Sequence, residues 1–229
     1  MNTRGLLDQL LKSGQELLNK QGGAGKPAAG SGGLGSLLSG AGGGALGAGA
    51  LGLLLGNKKA RKYGGKVITY GGLAALGVLA YKAYGNWQAR QGAGQGAEPQ
   101  TLDRLPPAQV EQHSQAVLRA LVAAAKSDGH IDDRERALIE GEFTRLDSDR
   151  ELQHWLHAEL NKPLDPAEVA RAAQTPEMAA EMYLASLMMV DQENFMERAY
   201  LDELARQLRL DPALRQELES QARLAAAGQ

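Results

Sequence analysis

The chain of 229 residues contains no cysteine. That excludes disulfide staples, thiolate-bound zinc and a cysteine nucleophile, and it leaves the redox compartment open. Aromatics are scarce, with two Phe and two Trp, so a sizeable core has to pack mainly on Leu, Ala, Val and Met. The second half has no run of alternating β-branched residues, which argues against a sheet there. No phosphate loop, nucleophile elbow or pair of catalytic acids stands out, and no enzymatic activity is expected. A secretory leader is not expected either, because Asp8 interrupts the first apolar run.

Charge and glycine are unevenly shared along the chain. Residues 1–100 hold 11 Lys and Arg against 3 Asp and Glu, whereas residues 101–229 hold 14 against 24. Nearly all the glycine lies at or before Gly96. The chain therefore reads as two parts of different physical kind.

The first part divides further. In "GLLDQLLKSGQELLNK" (5–20), Leu6, Leu7, Leu10, Leu11, Leu17 and Leu18 share a helical face suited to a membrane surface or to a partner helix. A Gly-rich linker closes this unit at residue 33. From Leu34 to Gly56 no residue is charged, and Gly40, Gly44, Ala48, Gly52 and Gly56 recur every fourth position. That length suits a bilayer crossing, and the ladder of small residues suits close helix packing or self-association in lipid. A Gly-rich linker is the alternative reading.

"VITYGGLAALGVLAY" (67–81) is richer in Val, Ile and Leu. Lys66 and Lys82 bracket it, and Tyr70, Tyr81, Tyr84 and Trp87 supply aromatics of the kind found at membrane interfaces. It reads as the better spanning segment, so 34–87 is expected to be the membrane region, in contact with lipid. The basic stretch between the two segments, with Lys58, Lys59, Arg61, Lys62 and Lys66, reads as a cytoplasmic flank. No aromatic-studded sheet or recognition helix accompanies those charges, so nucleic acid is not an expected partner. If 67–84 crosses, the acidic part lies outside the cytoplasm, and charge asymmetry leans slightly to the periplasm. Residues 88–107, rich in Gln, Gly, Ala and Pro, read as a second flexible linker.

After Pro107 the pattern is helical throughout. Helices are expected near 108–127, 132–146, 149–160, 166–173, 176–190, 195–208 and 212–225, within a domain of residues 108–229. Asp165-Pro166, Thr175-Pro176 and Asp211-Pro212 each place a capping side chain before a proline suited to a helix's first position. Met178, Met182, Ala185 and Met189 form one stripe, best read as core filler. Residues 132–146 resemble 194–208, sharing Glu-Arg-Ala at 135–137 and 197–199. Both begin with a capping box, Asp132 to Glu135 and Asn194 to Glu197. The repeating unit is helix, acidic turn, helix.

"SDGHIDDRE" (127–135) is spelled like the end of a calcium loop. An EF-hand in that register would need oxygen ligands at Ala124 and Lys126, and neither side chain can serve as one. His154 and His157 share a helical face beside Glu151 and Glu159, and a solvated pair is expected there rather than zinc.

The pattern A-x-x-x-D-G-x-I-x-x-x-E, followed some sixty residues later by "MMVDQENFMERAYLDELARQLRL", resembles the TerB-like domains associated with tellurite resistance. The whole arrangement of "RGLLDQLL", a glycine-rich apolar middle and an acidic helical tail resembles the YebE family of bacterial inner-membrane proteins. The resemblance implies an all-α tail, membrane attachment and an uncharacterised role. By the same resemblance, Asp128, Glu135, Asp191 and Glu197 would converge on a divalent cation. The competing reading is that Gly129 makes a left-handed turn, Ile131 fills the core and the acids cap helices. Two functions are therefore expected: a membrane-anchored adaptor with a protein partner, in envelope or metal stress, or a divalent-cation sensor.

Overall fold

A computed structural model describes residues 3–5, 72–92, 98–127, 129, 149–190 and 194–227. Among them are seven helices and no strand: α1 (Gly72–Arg90), α2 (Pro107–Ala125), α3 (Arg150–Asn161), α4 (Pro166–Ala170), α5 (Pro176–Met189), α6 (Phe195–Gln207) and α7 (Pro212–Ala227). The all-α expectation holds for this part of the chain. The expected helix 132–146 and the segments 6–71 lie outside the described residues.

The helix starts are local chemistry. Asp165 accepts the Ala167 N–H at 2.8 Å, Thr175 accepts the Met178 N–H at 3.1 Å, and Asp211 accepts the Ala213 N–H at 2.8 Å. Each follows the N-cap pattern, worth about 1 kcal/mol. The helix expected over 166–173 stops at Ala170. There the chain tightens into i to i−3 bonds, with Ala172 N–H to Val169 and Ala173 N–H to Ala170.

α5 is the hub. Every residue from Met178 to Met189 is buried, and the helix packs on α1, α2, α6 and α7. The methionine stripe is core, as expected. Around it lie Leu118 and Val117 of α2, Leu204 of α6 and Leu218 of α7, each at most 1 % exposed. Tyr183 pins this centre to α7, donating to Glu219 at 2.9 Å and accepting from Arg215 at 3.0 Å.

α1 departs from the membrane expectation. Leu76, Ala80, Ala83 and Tyr84 are buried in the same core, and the helix packs on α5 and α7. Its aromatics are engaged within the domain: the Trp87 indole donates to Asp211 at 3.1 Å, and the Arg104 guanidinium lies 3.9 Å from the Tyr81 ring centroid. Asn86 donates to Glu217 at 2.8 Å, and Arg90 pairs with the same carboxylate at 3.1 Å. Among the described residues no helix is long and apolar enough to cross a membrane. A stripe of Leu, Ala and Gly suits a lipid tail and a leucine-rich protein face equally well, and here α5 and α7 supply the face.

The segment expected as a flexible linker is packed in part. Thr101 and Leu102 are buried, and the turn 101–105 lies against α1. Among the described residues, the helical unit thus includes α1 and the turn 101–105 together with the helices after residue 106. At the chain's start, the N–H groups of Thr3 and Arg4 donate to the Glu111 carboxylate of α2 at 2.6 and 3.3 Å.

Two glycines of α1 should respond with opposite signs. A Cβ on Gly77 would lie 2.6 Å from Asp103 Oδ1 and 3.0 Å from its backbone nitrogen, whereas a Cβ on Gly85 would meet nothing within 4 Å. Gly77→Val is expected to destabilise by about 1–3 kcal/mol through overpacking. Gly85→Ala is expected to stabilise by up to about 1 kcal/mol through helix propensity. Thermal melts of the two variants check this, and equal shifts would count against a packed α1.

Candidate functional site

Of the four acids expected to gather on a cation, Asp128, Glu135 and Asp191 lie outside the described residues. Glu197 is buried, 4 % exposed, in the first turn of α6. It accepts from the Asn194 amide at 3.3 Å while Asn194 caps the Met196 N–H at 2.9 Å. Asn194 and Glu197 thus meet at the helix start, where a capping box was expected.

Of the first acidic turn, Lys126, Ser127 and Gly129 are among the described residues. Gly129 has φ +79°, the left-handed conformation that favours glycine. Lys126, at the slot where a calcium loop would need an oxygen, donates to the carbonyl oxygens of Glu159 and Lys162. Its ammonium ties the end of α2 to the end of α3. Glu159 is in turn held by Arg119 at 3.2 Å and Lys162 at 2.9 Å. His154 and His157 are both exposed on α3, and the Asn161 amide approaches His157 Nε2 at 3.3 Å. Among the described residues no group of three or more His, Asp or Glu is placed to hold a metal.

Two features escaped the sequence reading. The first is a buried acid–base pair in the hub. Glu181, fully buried on α5, stands 2.7 Å from Nε2 of the buried His113 of α2. The approach is close but poorly aligned for a hydrogen bond, so it is best described as electrostatic contact. The other carboxylate oxygen accepts the Leu102 N–H at 2.7 Å. Burial raises the Glu181 pKa above its ordinary value, with His113 and the Leu102 N–H pulling the other way. One acid therefore joins α5, α2 and the turn leading from α1. The available signal was a lone charge inside the apolar run 178–190, since a buried carboxylate demands a partner.

The second feature is a groove of about 910 Å³. Its floor carries Tyr84 and Trp87 of α1 and Ala170, Ala173 and Ala179 from α4 to α5, and its wall is the α6–α7 turn from Arg206 to Asp211. Tyr84 and Trp87 meet edge to face, with centroids 5.1 Å apart. Arg171, Arg206 and Arg209 also line it, and all three are exposed. The mix of aromatic floor and cationic wall is suited to recognition, and no acid–base–nucleophile set converges there.

The chain is 35 % identical over 126 residues to an uncharacterised protein in the ampR 5′ region of Yersinia enterocolitica, an alignment covering 55 % of this chain and 89 % of that one. No solved structure matches. The profile of a family of proteins of unknown function, DUF533, matches residues 40–222, and since that is most of the chain, the protein belongs to the DUF533 family.

Proposed function

We propose that this protein is a membrane-anchored adaptor, held at the bacterial inner membrane by residues 34–56 and presenting its helical domain to a protein partner. The observation that carries the reading is the charge-free stretch from Leu34 to Gly56, separated from α1 by a short basic flank. With α1 assigned to the domain, this is the remaining segment of spanning length. The family match starts at Gly40, within that stretch, which supports treating stretch and domain as one unit. The resemblance to YebE-like and TerB-like proteins points the same way.

Removing α1 from the membrane changes the expected topology. The periplasmic lean required 67–84 to cross. With a single crossing by 34–56, the basic flank 58–66 and the domain behind it share the cytoplasmic side.

Carbonate extraction of membranes and reporter fusions at Gln229 test both statements. The full chain should stay with the membrane pellet, and deletion of 34–56 should release a folded protein. A fluorescent protein at Gln229 should mature, and an alkaline phosphatase fusion should be inactive. A full chain extracted by carbonate, or an active phosphatase, defeats the reading. The divalent-cation alternative rests on the Asp128, Glu135, Asp191 and Glu197 set and calls for a calorimetric titration with Ca²⁺, Mg²⁺, Mn²⁺ and Zn²⁺. An adaptor gives no stoichiometric heat.

A further inference from the structure

The groove beside Trp87 combines three properties. It is concave and large enough for a side chain with its flanking backbone. Its floor offers Tyr84 and Trp87, and its wall carries Arg171, Arg206 and Arg209 against one acid, Asp211. Asp211 is itself occupied, accepting from the Trp87 indole and from the start of α7.

Those arginines stand out against their surroundings. Residues 101–229 hold 14 basic groups against 24 acidic ones, so a cluster of cations around one groove is the reverse of the domain's balance. Arg206 is paired with Glu203 at 2.5 Å. Arg171 and Arg209 make no ion pair among the described residues, which leaves their charge for an incoming group.

Arg209 adds an independent observation. It follows α6 with φ +54°, the sole non-glycine residue with positive φ among those described. The Leu210 N–H closes back on the Ala205 carbonyl at 3.1 Å, the Schellman geometry in which glycine is the usual residue. An arginine there is held in a disfavoured conformation, and it lines the groove.

We propose that this groove docks an acidic segment of a partner protein, one that places an apolar side chain on Tyr84 and Trp87 and its carboxylates against Arg171 and Arg209. The protein's own first hundred residues are a poor occupant, with 11 basic groups against 3 acidic ones. A lipid surface is flat where the groove is concave. The inference names the partner chemistry for the adaptor reading and rests on it.

Trp87 provides the measurement. The chain has two tryptophans, and Trp155→Phe leaves Trp87 as sole emitter. The full-length chain in non-ionic detergent is titrated with a dodecapeptide of glutamate with a central leucine pair. The controls are a lysine analogue and phosphatidylglycerol added to the same detergent as mixed micelles. The glutamate peptide should shift Trp87 emission saturably, and salt should weaken the effect. Arg171→Glu with Arg209→Glu should lower the affinity by about tenfold or more. Arg209→Gly should weaken binding while raising the melting temperature by a few degrees, because glycine relieves the positive φ. A purely structural Arg209 would move the melting temperature alone. The proposal is overturned by an unresponsive Trp87, by equal response to the lysine peptide, by response to phosphatidylglycerol only, by self-association that shifts Trp87 without peptide, or by binding unchanged in the arginine variants. The peptide titration contains no lipid bilayer, so its failure bears on the groove, and membrane attachment stands or falls on the fractionation.

Discussion

Residues 72–229, expressed alone, are expected to melt cooperatively as a helical domain, whereas residues 108–229 are expected to lose that cooperativity. The shorter fragment lacks α1 and the turn 101–105. It thereby forfeits the burial of Leu76, Tyr84 and Leu102, roughly 5–9 kcal/mol at 1.5–3 kcal/mol for each large side chain. That is comparable with the whole stability of an ordinary domain. It also strips Glu217 of Asn86 and Arg90, and Asp211 of Trp87. Circular dichroism melts of the two fragments decide the matter. Indistinguishable transitions would mean that α1 is an accessory to the bundle rather than part of it.

The second large effect is expected at Glu181. Glu181→Ala leaves His113 and the Leu102 N–H without their buried partner, a loss of about 3–5 kcal/mol. Replacing both side chains together, Glu181→Met with His113→Leu, should recover most of that loss, because the desolvation of the two buried polar groups disappears with their attraction. The pH dependence has a definite sign. Burial raises the Glu181 pKa from its ordinary 4.5, so the folded chain holds this proton to a higher pH than the unfolded chain does. The contribution is fully present below about 4.5 and is lost as pH rises through the folded value. Glu181→Gln has no proton to lose. Its melting temperature relative to the parent should therefore climb as pH rises from about 4.5 towards neutrality. A difference that stays flat, or falls, means that Glu181 does not carry a raised pKa in the folded chain.

These two results would separate what was legible in the chain from what was not. The sequence by itself determined the start of each helix capped by Asp165, Thr175, Asn194 or Asp211, and the left-handed turn at Gly129. Each rests on contacts within three residues, so the residues that decide them are neighbours in the chain. It also placed the methionine stripe of α5 in a core, since an apolar run between helix caps has few other places to go. Tertiary structure decided the rest. Whether Leu76, Ala80 and Ala83 face lipid or protein depends on what α5 and α7 present to them, and periodicity carries no information about the partner. Lys126 is disqualified as a ligand by its own chemistry, but its use as a clasp between α2 and α3 required the carbonyl oxygens of Glu159 and Lys162 to arrive from elsewhere. The His113–Glu181 pair joins residues 68 positions apart, and the groove takes its walls from α1, α4, α5 and the α6–α7 turn. Such features exist only once distant helices pack, because burial and convergence are properties of the assembled faces rather than of any one of them.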